Sequence, residues 1–478
     1  MAAKRVLLLI GRPSRYDVAN GRLLAGPAEP FVAEALDAAG LTPFDYELTV
    51  ADPTTFSASL RATAPTHIIA TGAESVKLFQ PSTNLTLNEL RGQVFAHFDT
   101  PTVLTFQPQD CCDTRNYDAD AFDLDDEEDA ESGTGKDHAP TSWKNYRFWF
   151  RRDVAKLFAP PAALPPLQQR VLSAAEAVAI LNSLTATTIY FDIETHPPTD
   201  TVQCFSFNTP DSPTYSFTVY NYRGEANGPV HQVFAALARA FRRNKVVIHN
   251  AGFDLPFLAH YHGIPFGRDI EDTMLMWHRA FPEAEKSLGH VISALLNEPF
   301  HKGTATFNPH NYAQQQALLL YNAKDVHTLR AVHQCLHELS ASRTGLKESY
   351  AQVNSSIYPY LLAGLRGFDL NTAKLRQHKT ALGERVEQLT RVFRVLTGIP
   401  DINPNSSDQL AEWLITGLGY KPVSLTDSGA PSMDAKAVYQ YLLTNPANVA
   451  LKVLLSIKKH AKQMQMLGFE PFTNLDGR

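Results

Sequence analysis

The chain has 478 residues, 44% of them apolar and 19% charged, a composition of soluble globular proteins and a length that calls for roughly two to four domains. It contains no apolar run of about 18 residues, and Lys4 and Arg5 lead straight into a short strand pattern, so neither a membrane span nor a secretory leader is expected. The net charge of −6 misrepresents most of the chain: nine acids and no base lie between Asp118 and Glu131, and without that tract the balance is +3, which permits an anionic partner. Cys111, Cys112, Cys204 and Cys335 show neither disulfide nor zinc spacing, the usage of a reducing cytoplasm.

In chain order, residues 5–110 alternate strand and helix patterns. "RVLLLIG" (5–11), "HIIATG" (67–72) and "TVLTFQP" (102–108) are short apolar runs ending at Gly or Pro, and 30–39 has helical periodicity. The acidic tract, within about 115–140, has the composition of a solvated insertion, and "APPAALPP" (159–166) that of a spacer between domains. Three strands are expected around Ile189, Phe205 and Phe217, and a fourth at "KVVIHN" (245–250). At "HNAGFDLPFL" (249–258) a turn is expected at Gly252 and a helix from near Asp254. A long helix covers 311–339. Beyond about 345 the pattern is helical, with Leu375, Leu382, Val386, Leu389, Phe393 and Leu396 on one face of a helix capped by Asn371.

Three segments carry acids at positions suited to a shared site. In "TTIYFDIETH" (187–196), Ile189, Phe191 and Ile193 face one way, and Asp192 and Glu194, two apart on a strand, face the other. Asp254 follows the strand at 245–250, and Tyr321 and Asp325 share one face of the long helix. Taken singly, these are a solvated strand face, a helix N-cap and a surface hydrogen bond; a shared metal site is the sharper alternative, and the order and spacing of all three decide between them by what they resemble.

The set resembles the DEDD superfamily of 3′–5′ exonucleases, in the subclass whose third motif is Tyr-x-x-x-Asp. The motifs are Asp192-Ile193-Glu194-Thr195, Asn250-Ala251-Gly252-Phe253-Asp254 and Tyr321-Asn322-Ala323-Lys324-Asp325, with an Asp-Thr segment at Asp272. The resemblance covers roughly 185–340. It implies two divalent ions, Mg²⁺ or Mn²⁺, about 4 Å apart on oxygen ligands. Asp192 would bridge them, Glu194 and Asp325 would complete the site of the water-activating ion, and Asp254 would hold the second. Tyr321 would orient the attacking water with Glu194. Thr195, Asn250 and Phe253 would touch the 3′-terminal nucleotide, or else serve packing and capping.

Residues from 348 onward resemble the segment that joins exonuclease to palm in family A DNA polymerases, including most of the thumb. The resemblance is carried by "LLAGLRGFDLN" (361–371), by Asn403, Ser406, Gln409 and Leu410, by Thr426, Gly429, Ser432 and Asp434, and by "LLSIKKHAKQ" (454–463). There Lys458, Lys459 and Lys462 are candidate contacts to duplex backbone. The palm and fingers, which bind the polymerase metals, would lie beyond "FTNLDGR"; an N-terminal fragment or one half of a split polymerase is expected, unable to polymerise alone. The first domain resembles the uracil-DNA glycosylase superfamily in the form fused to some bacteriophage polymerases, on 7–41, 64–79, 90–95 and 101–108. It departs at Gly11-Arg12-Pro13-Ser14 and at Gln107-Pro108, where active relatives have a Gly-Glu-x-Pro-Gly-like loop and a His-Pro. A non-catalytic scaffold or DNA-contacting role is therefore expected, with Gln107 a weak base-reading candidate.

The expected architecture is α/β and multidomain: a glycosylase-like α/β domain (1–160), a ribonuclease H-like exonuclease domain with a mixed sheet (161–342), and an all-helical connector and thumb (343–478). The expected activity is metal-dependent 3′–5′ exonuclease action on DNA, the proofreading portion of a phage family A replicative polymerase. The alternative is a DNA-binding accessory module of a split polymerase whose nuclease is vestigial. Expected partners are a frayed or single-stranded 3′ end, a primer-template duplex, the missing palm and fingers, and replisome proteins, with no membrane, in the (host) cytoplasm.

Overall fold

The computed structural model describes residues 5–82, 85–112, 143–196, 200–298, 307–308, 310–367, 371–424 and 430–467. The acidic tract, Thr426, Gly429 and the segment "FTNLDGR" lie outside them. The chain forms two compact units, Met1–Leu365 and Arg366–Arg478. No helix among the described residues is long and apolar enough to cross a membrane.

The first unit contains two sheets. One is built from β1 (Val6–Ile10), β2 (Tyr46–Val50), β3 (His67–Thr71), β4 (Val94–His97) and β5 (Thr100–Thr105), in the order β2-β1-β3-β5-β4. The first four in that order are parallel, and β4 returns antiparallel to β5. Phe98 and Asp99 turn that hairpin with φ of 45° and 64°, the double left-handed conformation of a two-residue loop. β1 is buried along its whole length, as a central parallel strand covered on both faces must be.

The second sheet comprises β6 (Gln169–Val171), β7 (Thr188–His196), β8 (Thr201–Asn208), β9 (Thr214–Thr218), β10 (Lys245–Ile248) and β11 (Ile270–Asp272), in the order β11-β10-β7-β8-β9-β6. β7, β8 and β9 form an antiparallel meander, while β10 and β11 run parallel to β7. The expected mixed sheet is present. Ile189, Phe191 and Ile193 sit in a core with Phe205, Phe217, Phe241 and Leu255. The opposite face is crossed by the helix Tyr312–Ser342, which packs on β7, β8 and β9.

A single apolar core runs from the first sheet toward the second and the helices around it. Val6, Leu8, Ile10, Trp149, Phe150 and Val154 belong to the same cluster as Trp277, Val291, Val332 and Leu336. The helix Trp143–Phe158 forms the wedge between them. The helix Leu346–Arg366, grouped with the C-terminal region by its helical pattern alone, adds Leu346, Tyr350, Ile357 and Leu361 to the cores of the first unit. The second unit is helical, with Phe393, Leu410, Trp413, Tyr441, Leu451 and Ile457 at its centre. Its helix Thr372–Thr397 is capped by Asn371, which accepts from Lys374 N. The Asn403–Leu410 motif is a capping turn: Gln409 Oε1 accepts from Asn403 N at 2.7 Å, Ser406 caps Gln409 N, and Leu410 is buried.

Candidate active site

β7 alternates as its sequence requires. Asp192 and Glu194 project from the face covered by Tyr312–Ser342, and carboxylate oxygens of Asp192, Glu194 and Asp325 lie within 4.8 Å of one another. Asp325 is 2% exposed, and Tyr321 stands one turn earlier on the same helix, its ring 5.7 Å from that of Phe307. The register between β7 and β8 shifts at Glu194/Thr195, so a bulge re-aims the strand at the point where the acids end.

Asn322 is a site residue whose role the sequence did not reveal. It is fully buried, and its Nδ2 donates to Asp192 Oδ2 at 2.6 Å, which fixes the carboxylate rotamer. Nothing in the motif distinguishes this asparagine from a helix-surface one; only the register of helix against β7 does.

Asp254 lies against β7, 3% exposed, with Oδ1 accepting from Ile193 N at 3.2 Å. Burial and the neighbouring Asp192 carboxylate push its pKa well above the usual range. The helix begins at Ala251 rather than near Asp254, and the turn is made by Asn250, with φ 69° and ψ 56°, rather than by Gly252. Asparagine is the non-glycine residue best suited to that left-handed conformation. Asp272 holds this corner by accepting from Asn250 N (3.0 Å), Ala251 N (2.8 Å) and Met274 N (2.9 Å), so the Asp-Thr segment acts as a double N-cap. Phe253 is 47% exposed next to Asp254 and continues through Phe257 to Tyr261 as a row of rings on one helix face.

All donors in this group are oxygens, the set that suits a hard divalent ion, and mutual repulsion among the carboxylates is what such an ion relieves. Among the remaining candidates, Gln107 has both ends of its amide engaged. Oε1 accepts from Thr71 Oγ1 at 2.6 Å and from Gly11 N at 3.3 Å, and Nε2 donates to Arg12 O at 3.1 Å. It ties together the ends of β1, β3 and β5. Lys458, Lys459 and Lys462 line one concave surface of the second unit with Ala435, Leu455 and Gln463. Burial lowers the Lys458 pKa, and Asp434 opposes the shift.

Residues 169–340 match the family model of the 3′–5′ exonuclease of family A DNA polymerases. DNA polymerase I of Aquifex aeolicus is 26% identical, over 48% of this chain and 42% of that protein, so the chain spans less than half of this curated relative. Among solved structures, the polymerase domain of Pol1 from M. smegmatis, in complex with DNA primer-template and dNTP, is 15% identical with a TM-score of 0.41 over 66% of this chain and 51% of that one. The exonuclease domain of Aedes aegypti Nibbler is 18% identical with a TM-score of 0.33, over 40% of this chain and 100% of that one. NrnC of Brucella melitensis is 18% identical with a TM-score of 0.31, over 40% of this chain and 87% of that one.

Proposed function

Residues 169–340 are a 3′–5′ exonuclease domain of the DNA polymerase I-like kind, and from that premise we propose that the chain proofreads. It removes 3′-terminal nucleotides from DNA as the proofreading portion of a phage-type family A replicative polymerase. The observation that carries the reading is the convergence of Asp192, Glu194 and Asp325 under one helix, with Asp254 against the same strand.

Divalent ions held by Asp192, Glu194, Asp254 and Asp325 would supply the charge that acidifies a water molecule and offsets the negative charge growing on the leaving 3′ oxygen. The chain's own groups do the positioning. Asn322 holds Asp192 in one rotamer. Tyr321 and Glu194 orient the attacking water. The exposed ring of Phe253 stacks on the terminal base, an interaction worth about 1–3 kcal/mol per base, while Thr195 and Asn250 flank the nucleotide. The last nucleotides must leave the duplex to reach the acids, so frayed or mismatched ends are the preferred substrate.

The first sheet is a glycosylase-like scaffold without base-excision chemistry, a reading supported by the structural bonds that both ends of the Gln107 amide make. The second unit is the connector and thumb, where Lys458, Lys459 and Lys462 meet duplex phosphates. Time courses with one strand labelled at its 3′ or its 5′ end, paired or mismatched, with Mg²⁺ or with chelator, test the proposal. The 3′ label should be lost first, faster from the mismatch, and not at all with chelator. Loss from the 5′ end, or digestion indifferent to chelator, contradicts it.

A further inference from the structure

A second group of ligating side chains lies on the same sheet face, two helical turns beyond Asp325 or roughly 12 Å along the helix axis. His333 and His337, one turn apart on Tyr312–Ser342, converge on Glu271 of β11. Glu271 Oε2 is 2.6 Å from His333 Nε2 and 3.0 Å from His337 Nε2, and the two imidazole nitrogens are 3.0 Å apart. Glu271 and His333 are 9% and 8% exposed, whereas the His337 side chain is 48% exposed.

The geometry points to a transition-metal site, of the class that takes Zn²⁺, formed by Glu271, His333 and His337. Two imidazoles at i and i+4 and one carboxylate are the donor set of a borderline ion, in contrast to the all-oxygen set around Asp192. The surroundings are arranged as such a site needs. Lys245 Nζ engages the other carboxylate oxygen, Oε1, at 2.6 Å, which leaves Oε2 as a single ligand atom aimed at the imidazoles. Tyr190 Oη lies 3.3 Å from His333 Nδ1, so the far ring nitrogen has a partner, and with Nδ1–H donating to that hydroxyl Nε2 presents its lone pair inward. In that tautomer three ligand atoms face one point, where a metal ion, or else a proton on one of the imidazole nitrogens, meets the carboxylate.

Metal bonds of 2.0–2.2 Å hold tetrahedral ligand atoms about 3.4 Å apart, so entry of the ion asks the two pairs that include His337 to open by about 0.4 Å and the Glu271–His333 pair by about 0.8 Å. His337, on the solvent side, can move by its share, and rotation of the Glu271 carboxylate and the His333 ring opens the remaining pair. Three protein ligands leave a fourth position open toward solvent. An ion there ties β11 to the helix that carries Tyr321 and Asp325. None of this depends on the nuclease reading.

The test uses the full chain with Asp192→Ala and Asp325→Ala, so that the carboxylate group cannot supply the binding. After chelator treatment and dialysis, Zn²⁺ is titrated by calorimetry, bound metal is counted by mass spectrometry, and Co²⁺ is added as a visible reporter. The expected result is one zinc per chain at micromolar free ion and a Co²⁺ spectrum of a four-coordinate site. Both should weaken by about tenfold or more in His337→Ala, an exposed position whose loss leaves the fold intact by circular dichroism. Absence of stoichiometric zinc overturns the site and leaves a proton-shared group, and unchanged affinity in His337→Ala overturns it equally.

Discussion

Asp192 Oδ2 sits 2.6 Å from the Asn322 amide, so this carboxylate is oriented by the protein before any ligand arrives. Asn322→Ala removes that constraint while leaving every acid in place. A loss of about 10- to 100-fold in cleavage rate is expected, with a higher Mg²⁺ concentration needed for half-maximal rate. An unchanged Mg²⁺ requirement would show that the amide serves packing only. Period-two and i,i+4 spacing put Asp192 with Glu194 and Tyr321 with Asp325, and the resemblance of the three motifs to a known nuclease set made these acids legible as one site. Asn322 was not, since one residue's displacement on a helix turns a side chain by about 100°, and only the tertiary register brings it onto β7. At the 249–254 corner the turn fell to Asn250 instead of Gly252, because either residue tolerates positive φ and the sequence offers both within three positions.

Elements of three residues, β6 and β11, went unseen because they are too short to display a period, and β2 and β4 because each is flanked by stronger neighbouring signals. Yet β11 supplies both the Asp272 cap and Glu271. The helix Leu288–Leu295 shows an element held by side chains from the first sheet's side. Its terminal carbonyls accept from Arg152 (Ala294 O, 2.7 Å) and Lys156 (Ser293 O, 2.8 Å; Leu296 O, 2.6 Å), cations placed where the helix dipole is negative. Arg91, 2% exposed, pairs with Asp153 at 3.1 Å and lies 3.7 Å over the Trp149 ring. Asp153→Ala leaves that guanidinium buried without its counter-charge, and unfolding by denaturant should register a loss of about 3–5 kcal/mol. His290 belongs to the same layer, where burial and then Arg91 lower its pKa from 6.5 to about 4. The native state therefore prefers neutral His290. Its contribution is complete above pH 6.5 and is lost as pH falls from there toward 4, because the unfolded chain binds the proton first. Melting temperature should drop over that window more steeply in the parent protein than in His290→Gln, and equal slopes would remove His290 from the account.

Across the whole molecule, the α/β character of the first 110 residues, the mixed sheet and the helical end were legible from patterning, but the joining of the first two was not. A proline-rich stretch at 159–166 resembles a spacer, and a sequence pattern does not record which apolar faces meet. Here Trp149, Phe150 and Val154 pack in one core with Trp277, Val291 and Leu336. A chain lacking residues 1–160 would expose that surface, so it should aggregate or melt well below the full-length protein in a light-scattering and calorimetry comparison; a soluble, equally stable truncation would mean the shared core is dispensable. The central claim is narrower: the acids gathered on β7 and the long helix carry metal-dependent removal of 3′ nucleotides. Release of a 3′-terminal label from single-stranded DNA by full-length protein, against Asp192→Ala and Asp325→Ala variants with matched circular dichroism and melting temperature, tests it most directly. Mg²⁺-dependent release by the parent and none above background by either variant is the predicted result; full activity in a folded Asp192→Ala protein would contradict the account.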